Sequence, residues 1–461
     1  MKQRNDVYQL GQNDNTLALY AKAVAEMKTR KATDPTSWSY QAAMHGFNAN
    51  NPFWKNVGQL PSNTEQAMYW NQCQHSSWYF IPWHRMYIAY FEQIVAQTLV
   101  DLGEIASIDD WALPFWNYSN TDNPDALTIP PAFTTPANNT NPLWIEGRVN
   151  PVLEQSDVSL QRLNIIPFVN QQVIPGFGGG DDGPIQFGHA SGGLEDLPHN
   201  HVHSDIGGAM GNPITAALDP IFWLHHANID RLWPIWLDLG AGRHNTSAAN
   251  WLSQSFPFHD GAGKDAELKV SQVLETKEVL SGYTYQASYS PIPAQSQRRL
   301  TPLNQPLELV AASHIKQTLG RTQNVIPLAL PEHVHARRKA LFSPLSSAPE
   351  TATEAYLYFE NVTGKGVAPI YTVLMNTSGT EAEGQEFVVG RISLFGLEVA
   401  STPSIHHNGS GLNIALDLSD VFDRLRTLPD WNANQLTVRL VPTGDVLADT
   451  DITIGRISLH C

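Results

Sequence analysis

Two histidine clusters set in apolar segments constrain this chain more than any other feature of its sequence. The first cluster lies in CQHSSWYFIPWHRMYIAYFE, where His84 opens an apolar helical stretch. The second comprises PHNHVHSD, with His199 and His203, and DPIFWLHHANIDRLW, with His226. An unpaired imidazole is poorly solvated in apolar surroundings. We therefore expect these rings to converge on a common partner in the folded protein.

The spacing of these histidines indicates a bound metal. His199 and His203 stand at i and i+4, which on a helix places both rings on one face, roughly 6 Å of axial rise apart. His75 and His84 flank the aromatic stretch of the first cluster, and His45 in AAMHGF completes a set of three nitrogens. Imidazole suits Zn, Cu, Fe and Ni alike. Without Cys pairs or a Glu-x-x-His array, two all-histidine triads favour copper, although composition alone leaves the metal open.

Helical periodicity dominates the first 290 residues. It is visible in five stretches, residues 15–30, 65–72, 82–99, 199–203 and 221–239. The 82–99 stretch is apolar on more than one face, which is typical of a central helix. We predict a mainly α catalytic domain over residues 1–290 that contains both histidine clusters.

The chain changes character after residue 290. Residues 291–350 are rich in Pro, Ser, Gln and Arg, which suits a linker exposed to proteolysis. Short alternating runs then follow, namely YLYFENV, YTVLMN, EFVVGRISLFGLEV, LNIALDL, QLTVRLV and DITIGRISL. Alternation with a period of two at this spacing is typical of strands. We predict an antiparallel β-sandwich-like domain over residues 351–461, with a barrel as the alternative.

A Gly-rich stretch within the helical region needs its own interpretation. Residues 122–193 are rich in Pro, Asn, Thr and Gly and include GFGGGDDG at 176–183. A phosphate-binding loop would need a strand before it, a helix after it and a Lys, and the sequence indicates none of them. We expect residues 176–183 to form a mobile surface loop.

Charge, cysteine content and hydropathy argue against several functional classes. The net charge is −16 without a long run of Lys or Arg, which disfavours nucleic-acid binding because phosphate affinity depends on clustered cations. Only Cys73 and Cys461 are present, so a disulfide framework is excluded. No segment reaches the roughly 18 unbroken apolar residues of a membrane span, and no signal-peptide stretch is visible at the N-terminus. We expect a cytoplasmic protein without a membrane or nucleic-acid partner.

The two clusters resemble the copper signatures of tyrosinases, catechol oxidases and hemocyanins. All elements of the first signature are present as His75, Phe80, Trp83, His84, Arg85 and Glu92. The second signature is matched by DPIFWLHHANID at 219–230. Because two long signatures occur in the right order, the chain is identified as a member of the type-3 dicopper family. The resemblance implies a catalytic domain with a central four-helix bundle that holds two copper ions.

The resemblance also implies which residues bind the metals. One copper ion is expected on His45, His75 and His84, and the second on His199, His203 and His226. The neighbouring His225 is not used for metal in the family pattern. Asp230, one helical turn past His226, resembles a carboxylate that orients a ligand ring. The alternatives for Asp230 are an acceptor for an N–H group or a partner for Arg231.

Two further motifs are similar to those of the family. Cys73 precedes His75 by two residues, as in fungal tyrosinases and molluscan hemocyanins, where the sulfur is bonded to an imidazole carbon. The resemblance implies a Cys73–His75 thioether, and a buried free thiol is the alternative. GYTY at 282–285 resembles the Tyr-x-Tyr motif that closes the catalytic domain in plant and fungal polyphenol oxidases, with Arg4 as its expected partner.

Glu195 and Asn200, in GGLEDLPHNHVH, are the candidate catalytic residues. They resemble a Glu and Asn pair that holds a water beside the second copper in relatives that act on monophenols. A base is needed there because the pKa of a phenol is about 10. The alternative is that Glu195 caps a helix and Asn200 is solvated. Two positions depart from the family: Ser204 supplies neither a base nor bulk, and Pro213, near the position that gates substrate entry, implies an open pocket.

The resemblance implies a copper-dependent oxidoreductase that uses O2 to ortho-hydroxylate monophenols, to oxidise o-diphenols to o-quinones, or both. An o-aminophenol oxidase is one alternative. A hemocyanin-like O2 carrier is another, distinguished by reversible O2 binding with negligible turnover of catechol. The β-rich tail resembles a domain that covers the active site in latent enzymes, so we expect it to repress activity until it moves or the linker is cut. The expected partners are a small phenol and O2, and homo-oligomer formation stays open.

Overall fold

The chain combines a helical N-terminal region with a strand-rich C-terminal region, as predicted. A computed structural model describes residues 1–292, 307–330, 354–376, 386–404, 408–428, 436–445 and 451–461. Within these ranges, no helix has the length and apolar character needed to cross a membrane.

The N-terminal region is built around two long, buried helices. Its α-helices are α1 (Thr16–Thr29), α2 (Trp38–His45), α3 (Asn63–Tyr69), α4 (Phe80–Asp101), α5 (His201–Ile206), α6 (Ile221–Asp238) and α7 (Ala249–Ser253). Apolar residues on several faces bury α4 and α6 against each other, with Phe91 stacked on Trp223 at a centroid distance of 3.4 Å. The prediction of a central helix over 82–99 is confirmed.

The helical region also contains two small sheets. Strand β1 (Lys2–Arg4) pairs in parallel with β4 (Tyr283–Tyr285), and β2 (Ser255–His259) pairs antiparallel with β3 (Asp265–Lys269). The β1–β4 pairing joins the N-terminus of the chain to the end of the helical region.

The C-terminal region contains two antiparallel sheets. Its strands are β5 (Leu309–Ala312), β6 (Gln317–Thr318), β7 (Asn324–Pro327), β8 (Tyr356–Thr363), β9 (Tyr371–Asn376), β10 (Phe387–Ile392), β11 (Leu412–Asp417), β12 (Thr437–Pro442) and β13 (Thr453–His460). One sheet has the order β10-β9-β12-β7, and the other has the order β11-β8-β13-β5 with β6 also on β13. Side chains from both sheets, such as Phe359 and Val438, share one buried apolar cluster. All six predicted strand runs therefore contain a strand.

The predicted linker over 291–350 is wrong for residues 309–327. These residues form β5, β6 and β7, which pair with β13 and β12 of the two sheets. Their alternation is short and is interrupted by Gly, Arg and Gln, so composition hid it. Residues 293–306 and 331–350 of the predicted linker lie outside the described residues.

The run EFVVGRISLFGLEV is a strand over only part of its length. Strand β10 ends at Ile392, and a short helix, Leu397–Ser401, follows the intervening turn. Gly396, with φ of +83°, makes this turn, and a Cβ there would lie 2.4 Å from the Phe187 ring. The segment leaves the sheet because residues 393–395 pack against the helical region, as described below.

The prediction of a mobile surface loop over 176–183 is wrong for its first half. Phe177 is fully buried and stacks on Trp236 with a centroid distance of 4.2 Å. Gly179 has φ of +119°, and a Cβ there would lie 2.8 Å from the Ser77 backbone. Glycine permits this close approach of two backbone segments. Only the second half, at Asp181 and Gly183, is exposed.

Candidate metal centre

Six histidines from separate elements meet in the buried centre of the helical region. His45 ends α2, His75 lies in the loop before α4, and His84 lies in the second turn of α4. His199 belongs to a π-helical turn, Glu195–Asn200, that leads into α5, while His203 and His226 lie on α5 and α6. All six rings are at most 3% exposed. The structure thus brings together residues that are up to 181 positions apart.

The six rings lie together, but the nitrogens that could share a metal ion do not divide into the two predicted triads. One group joins His199, His203 and His226 with His225, and another joins His45 and His84 with His226. In the first triad, of His45, His75 and His84, ring centroids are 5.2–5.6 Å apart. In the second triad, of His199, His203 and His226, they are 4.5–5.6 Å apart. The triads also touch each other, since the His84 and His226 rings stack with a centroid distance of 4.5 Å.

Hydrogen bonds to Nδ1 orient most of these rings. The Nδ1 atoms of His45, His84 and His203 bond the backbone carbonyls of Pro213, Phe80 and Met210 at 2.8–2.9 Å. The Nδ1 of His199 bonds the Asn200 side-chain oxygen at 2.8 Å. Partners of this kind fix the tautomer and the orientation of metal-binding imidazoles. They leave Nε2 as the nitrogen directed to the centre.

The free nitrogens suit a soft or borderline metal cation such as copper. The Nε2 atoms of His45, His75, His84 and His199 are buried and have no hydrogen-bond partner within the described part of the chain. Burial lowers the pKa of His45 to about 4 and that of His199 to about 3, so both rings are neutral at physiological pH. Neutral imidazole is the metal-binding form. Copper ions would satisfy these otherwise unpaired atoms, so the donor set fits the implied metal.

A fourth imidazole, that of His225, lies beside the second triad, although the family pattern does not use it for metal. His225 is fully buried, and one of its ring nitrogens lies within 4.8 Å of those of His199, His203 and His226. Its Nδ1 lies 3.1 Å from the Tyr118 hydroxyl. The only sequence signal for it is the doubled histidine in WLHHAN.

The Cys73 thiol lies against the ring of His75. The Sγ–Nδ1 distance is 3.3 Å, and both side chains are fully buried. Burial raises the pKa of the Cys73 thiol above its ordinary value. The contact agrees with the predicted proximity of sulfur and imidazole, whereas the thioether itself stays a prediction.

Asn200 borders the second triad, whereas the Glu195 side chain lies against Ser76, which follows His75 of the first triad. The Glu195 carboxylate is buried and accepts the Ser76 backbone N–H at 2.7 and 2.9 Å. Burial raises its pKa to about 8. Asn200 is 8% exposed and bonds His199. The alternatives of a helix cap and a solvated amide therefore do not apply.

Asp230 does not orient a ligand ring, so that prediction is wrong. It accepts hydrogen bonds from Arg85, from Arg4 and from both tyrosines of the 282–285 motif. Burial alone would raise the pKa of Asp230, but Arg85 and Arg4 outweigh burial and lower it. The alternative partner Arg231 instead bonds Asn228. Two buried cations, Arg85 and Arg4, need a carboxylate nearby to balance their charge. Asp230 on α6 supplies it and so joins α6 to α4.

Arg4 is the partner of the Tyr-x-Tyr motif, as predicted. Its guanidinium lies 3.7 Å from the Tyr283 ring centroid and donates to the Tyr285 hydroxyl at 2.9 Å. It also pairs with Glu92 at 2.8 Å. The N-terminal strand is therefore anchored to α4 and α6.

Phe395 of the C-terminal region covers the second triad. Its ring stacks on His203 with a centroid distance of 4.3 Å and an interplanar angle of 16°, and it meets His199 edge-on. It is 3% exposed and belongs to the apolar core of the helical region. Ser393 fixes this contact through its hydroxyl, which donates to the Asn200 carbonyl at 2.9 Å and bonds Ser204.

Phe187 similarly stacks on His75 of the first triad, with a centroid distance of 4.9 Å. Sequence reasoning missed both aromatic covers.

An ion pair supports this covering contact at its edge. Arg391 of β10 lies 2.8 Å from Asp157, which also bonds His201 at 2.8 Å. Arg391 donates to the Ser156 hydroxyl as well. Pro213 is buried beside His45, to which its carbonyl bonds, and its predicted gating role stays a prediction.

Comparisons with known proteins agree with this geometry. Residues 35–151 and 133–239 match the family model of the common central domain of tyrosinase. Residues 306–461 match a domain of unknown function, DUF7868. The latent polyphenol oxidase of Prunus armeniaca is 32% identical over 59% of this chain and 47% of that protein. Latent apple tyrosinase shares the fold with a TM-score of 0.64 at 22% identity, covering 100% of this chain and 96% of that chain.

A bacterial relative matches the chain over its whole length. The tyrosinase HcTyr1 of Hahella sp. (strain CCB-MM4) is 43% identical over 479 residues, covering 100% of this chain and 99% of that protein. Full-length identity at this level, together with the matched central domain and the two histidine triads, identifies the family. The chain belongs to the tyrosinase family of copper-dependent enzymes that oxidise phenols.

Proposed function

We propose that His45, His75 and His84 hold one copper ion and that His199, His203 and His226 hold the second. The observation that carries this proposal is the set of buried, neutral imidazoles whose free nitrogens face one another. When bound, the copper pair supplies the two electrons that O2 accepts as the phenol is oxidised.

We infer that the enzyme both hydroxylates monophenols and oxidises o-diphenols. A monophenol must lose its proton before it is hydroxylated, and its pKa is about 10. Glu195 is the base for this step, because burial raises the pKa of its carboxyl to about 8, nearer to that of the phenol. Asn200 holds His199 and, with Glu195, positions the water that relays the proton.

The carboxylate of Glu195 is already held in place for this role. Two oxygens share the Ser76 N–H, so the side chain cannot swing away without losing a buried hydrogen bond. Ser76 directly follows His75, so the backbone segment that carries a proposed ligand of the first triad also holds the proposed base.

We propose that the C-terminal region represses activity. Phe395 occupies the face of His203 where an aromatic substrate would stack, and Ser393 and Arg391 hold it there. Cleavage in residues 293–306 or 331–353, followed by release of this region, should raise the rate of catechol oxidation. Unchanged rates after detachment would contradict the repressive role.

We also propose the finer architecture and the covalent cross-link. Helices α2, α4, α5 and α6 form the four-helix bundle around the copper pair, and the two C-terminal sheets face each other as a sandwich. Cys73 and His75 form a thioether, in which S–H and ring C–H bonds are replaced by one S–C bond while O2, through the copper pair, accepts two electrons and two protons. Mass spectrometry of the peptide would then find it lighter by two hydrogen atoms.

An assay of the copper-loaded protein tests the proposed activity. Tyrosine, catechol and o-aminophenol would each be supplied with O2, before and after limited proteolysis. We expect turnover of catechol and tyrosine, with a larger rate for catechol. Turnover of o-aminophenol alone would identify an o-aminophenol oxidase. Reversible O2 uptake without turnover of any of the three would identify a carrier.

A further inference from the structure

The second triad has one more imidazole than a three-nitrogen copper site needs. The ring of His225 lies 4.8 Å from that of His203, 5.1 Å from that of His226 and 5.3 Å from that of His199, measured between centroids. These four residues form one group whose ring nitrogens can share a metal ion. An extra imidazole this close to a metal site requires a physical explanation.

His225 is oriented in the same way as most of the proposed ligands. Its Nδ1 contacts the Tyr118 hydroxyl, and its Nε2 is buried and has no hydrogen-bond partner in the ranges that the structure describes. A phenolic hydroxyl can accept as well as donate. When Nδ1 donates to the Tyr118 oxygen, the Nε2 lone pair is free to bind a cation.

His226 differs from the other proposed ligands in this respect. Its Nδ1 is buried without a hydrogen-bond partner among the described residues, and its Nε2 lies 3.4 Å from the Nε2 of His203. The ring also stacks on His84 of the other triad. Before metal binds, the ring of His225 is therefore oriented more firmly than the ring of His226. His225 is then better placed to be the third ligand of the second site.

We propose that His225 is a reserve ligand that binds the second copper ion with His199 and His203 while the site is being loaded, before His226 takes its place. This inference rests on the ligand assignment proposed above. The stacking of His225 on His199, at an interplanar angle of 23°, is compatible with packing alone. The metal-binding role is favoured because a ring nitrogen of His225 is grouped with those of His199 and His203.

Copper counting in variants of the doubled histidine tests the proposal. The full-length protein would be titrated with Cu(I) under anaerobic conditions against a chromogenic chelator, as wild type, His226→Ala, His225→Ala and His225→Ala/His226→Ala. We expect two ions for wild type, and two for His226→Ala with the second bound about 10- to 100-fold more weakly. The double variant should hold one ion.

Equal copper content in His226→Ala and the double variant, at one ion each, would overturn the proposal. Retention of the first ion in every variant is the internal control for folding. Fewer than two ions in the wild type would instead contradict the ligand assignment itself, so the two failures can be told apart.

The rate of copper uptake gives a second, independent readout. His225→Ala should reach two ions but bind the second several-fold more slowly than wild type, and Tyr118→Phe should show a smaller delay because it removes only the partner of Nδ1. Uptake by His225→Ala at the wild-type rate would contradict a role in loading.

Discussion

The two histidine triads differ in what surrounds them. In the first, two rings are held by backbone carbonyls and the third by the Cys73 sulfur. The second is bordered by Asn200, by the extra imidazole of His225 and by Phe395 from the C-terminal region.

This difference indicates that the two triads have different roles. Backbone carbonyls move only with the fold, and they hold two rings of the first triad but only His203 of the second. The first triad is therefore the more fixed support for metal. Asn200 and Phe395, to which we assign roles in proton transfer and in blocking access, contact the second triad. We therefore expect changes at the first triad to abolish function and changes around the second to tune it.

The largest effect is expected from a change in the first triad. His84→Ala should lower copper content from two ions to one and reduce catechol oxidation at least about 10³-fold, because both metals are needed for O2 chemistry. Metal analysis and O2 consumption measure this. His259→Ala, a buried histidine outside both triads, is the matched control and should keep two ions.

Glu195→Gln should separate the two activities. We expect hydroxylation of tyrosine to fall about 10²-fold, because the base is lost, while oxidation of catechol changes much less. Steady-state rates on both substrates at equal copper content measure the ratio. Equal losses on the two substrates would show that Glu195 supports the site without acting as a base.

Removal of the Phe395 ring should activate the enzyme. Burial of a Phe side chain contributes about 2 kcal/mol, so Phe395→Ala should favour the uncovered site and raise catechol turnover by roughly 30-fold. Phe395→Leu, which keeps much of the apolar area, should give a smaller increase. A decrease in both variants would mean that Phe395 maintains the site and does not block it.

Monophenol hydroxylation and catechol oxidation should also differ in their dependence on pH. Only the deprotonated carboxylate of Glu195 is a base, so monophenol hydroxylation should rise with pH by up to about tenfold per unit below the pKa of Glu195. Burial raises that pKa to about 8, and the positive charge of bound copper lowers it again. The ratio of tyrosine to catechol rates should rise in wild type and stay flat in Glu195→Gln.

The smallest effect is expected from Arg391, whose ion pair lies beside the contact of Phe395 with the second triad. Arg391→Ala removes one partner of Asp157, whose carboxylate is buried and is also held by His201, and should raise catechol turnover slightly. Arg456→Ala, which removes the Arg456–Glu360 pair within the C-terminal sheet, is the matched control and should leave turnover unchanged. Similar rates in the two variants would exclude Arg391 from the repressive contact.

The sequence predicted best those features that depend on one residue type or on a simple periodic pattern. Imidazoles at metal-binding spacing and alternating apolar residues are visible in a sequence, so the histidine clusters and six of the strands of the tail were predictable. Contacts across long separations left no such pattern. Phe395 looks like part of a strand run, Phe187 lies in a Gly-rich stretch, and Asp230 is placed by Arg4, which is 226 residues away. Only the folded chain brings these partners together.

A crystal structure of the copper-loaded protein with anomalous data at the copper edge tests the central claim most directly. We predict two peaks, one among His45, His75 and His84 and the other among His199, His203 and His226, with Phe395 beside the second. A single peak, or peaks away from these rings, would contradict the assignment of two copper ions to the two triads.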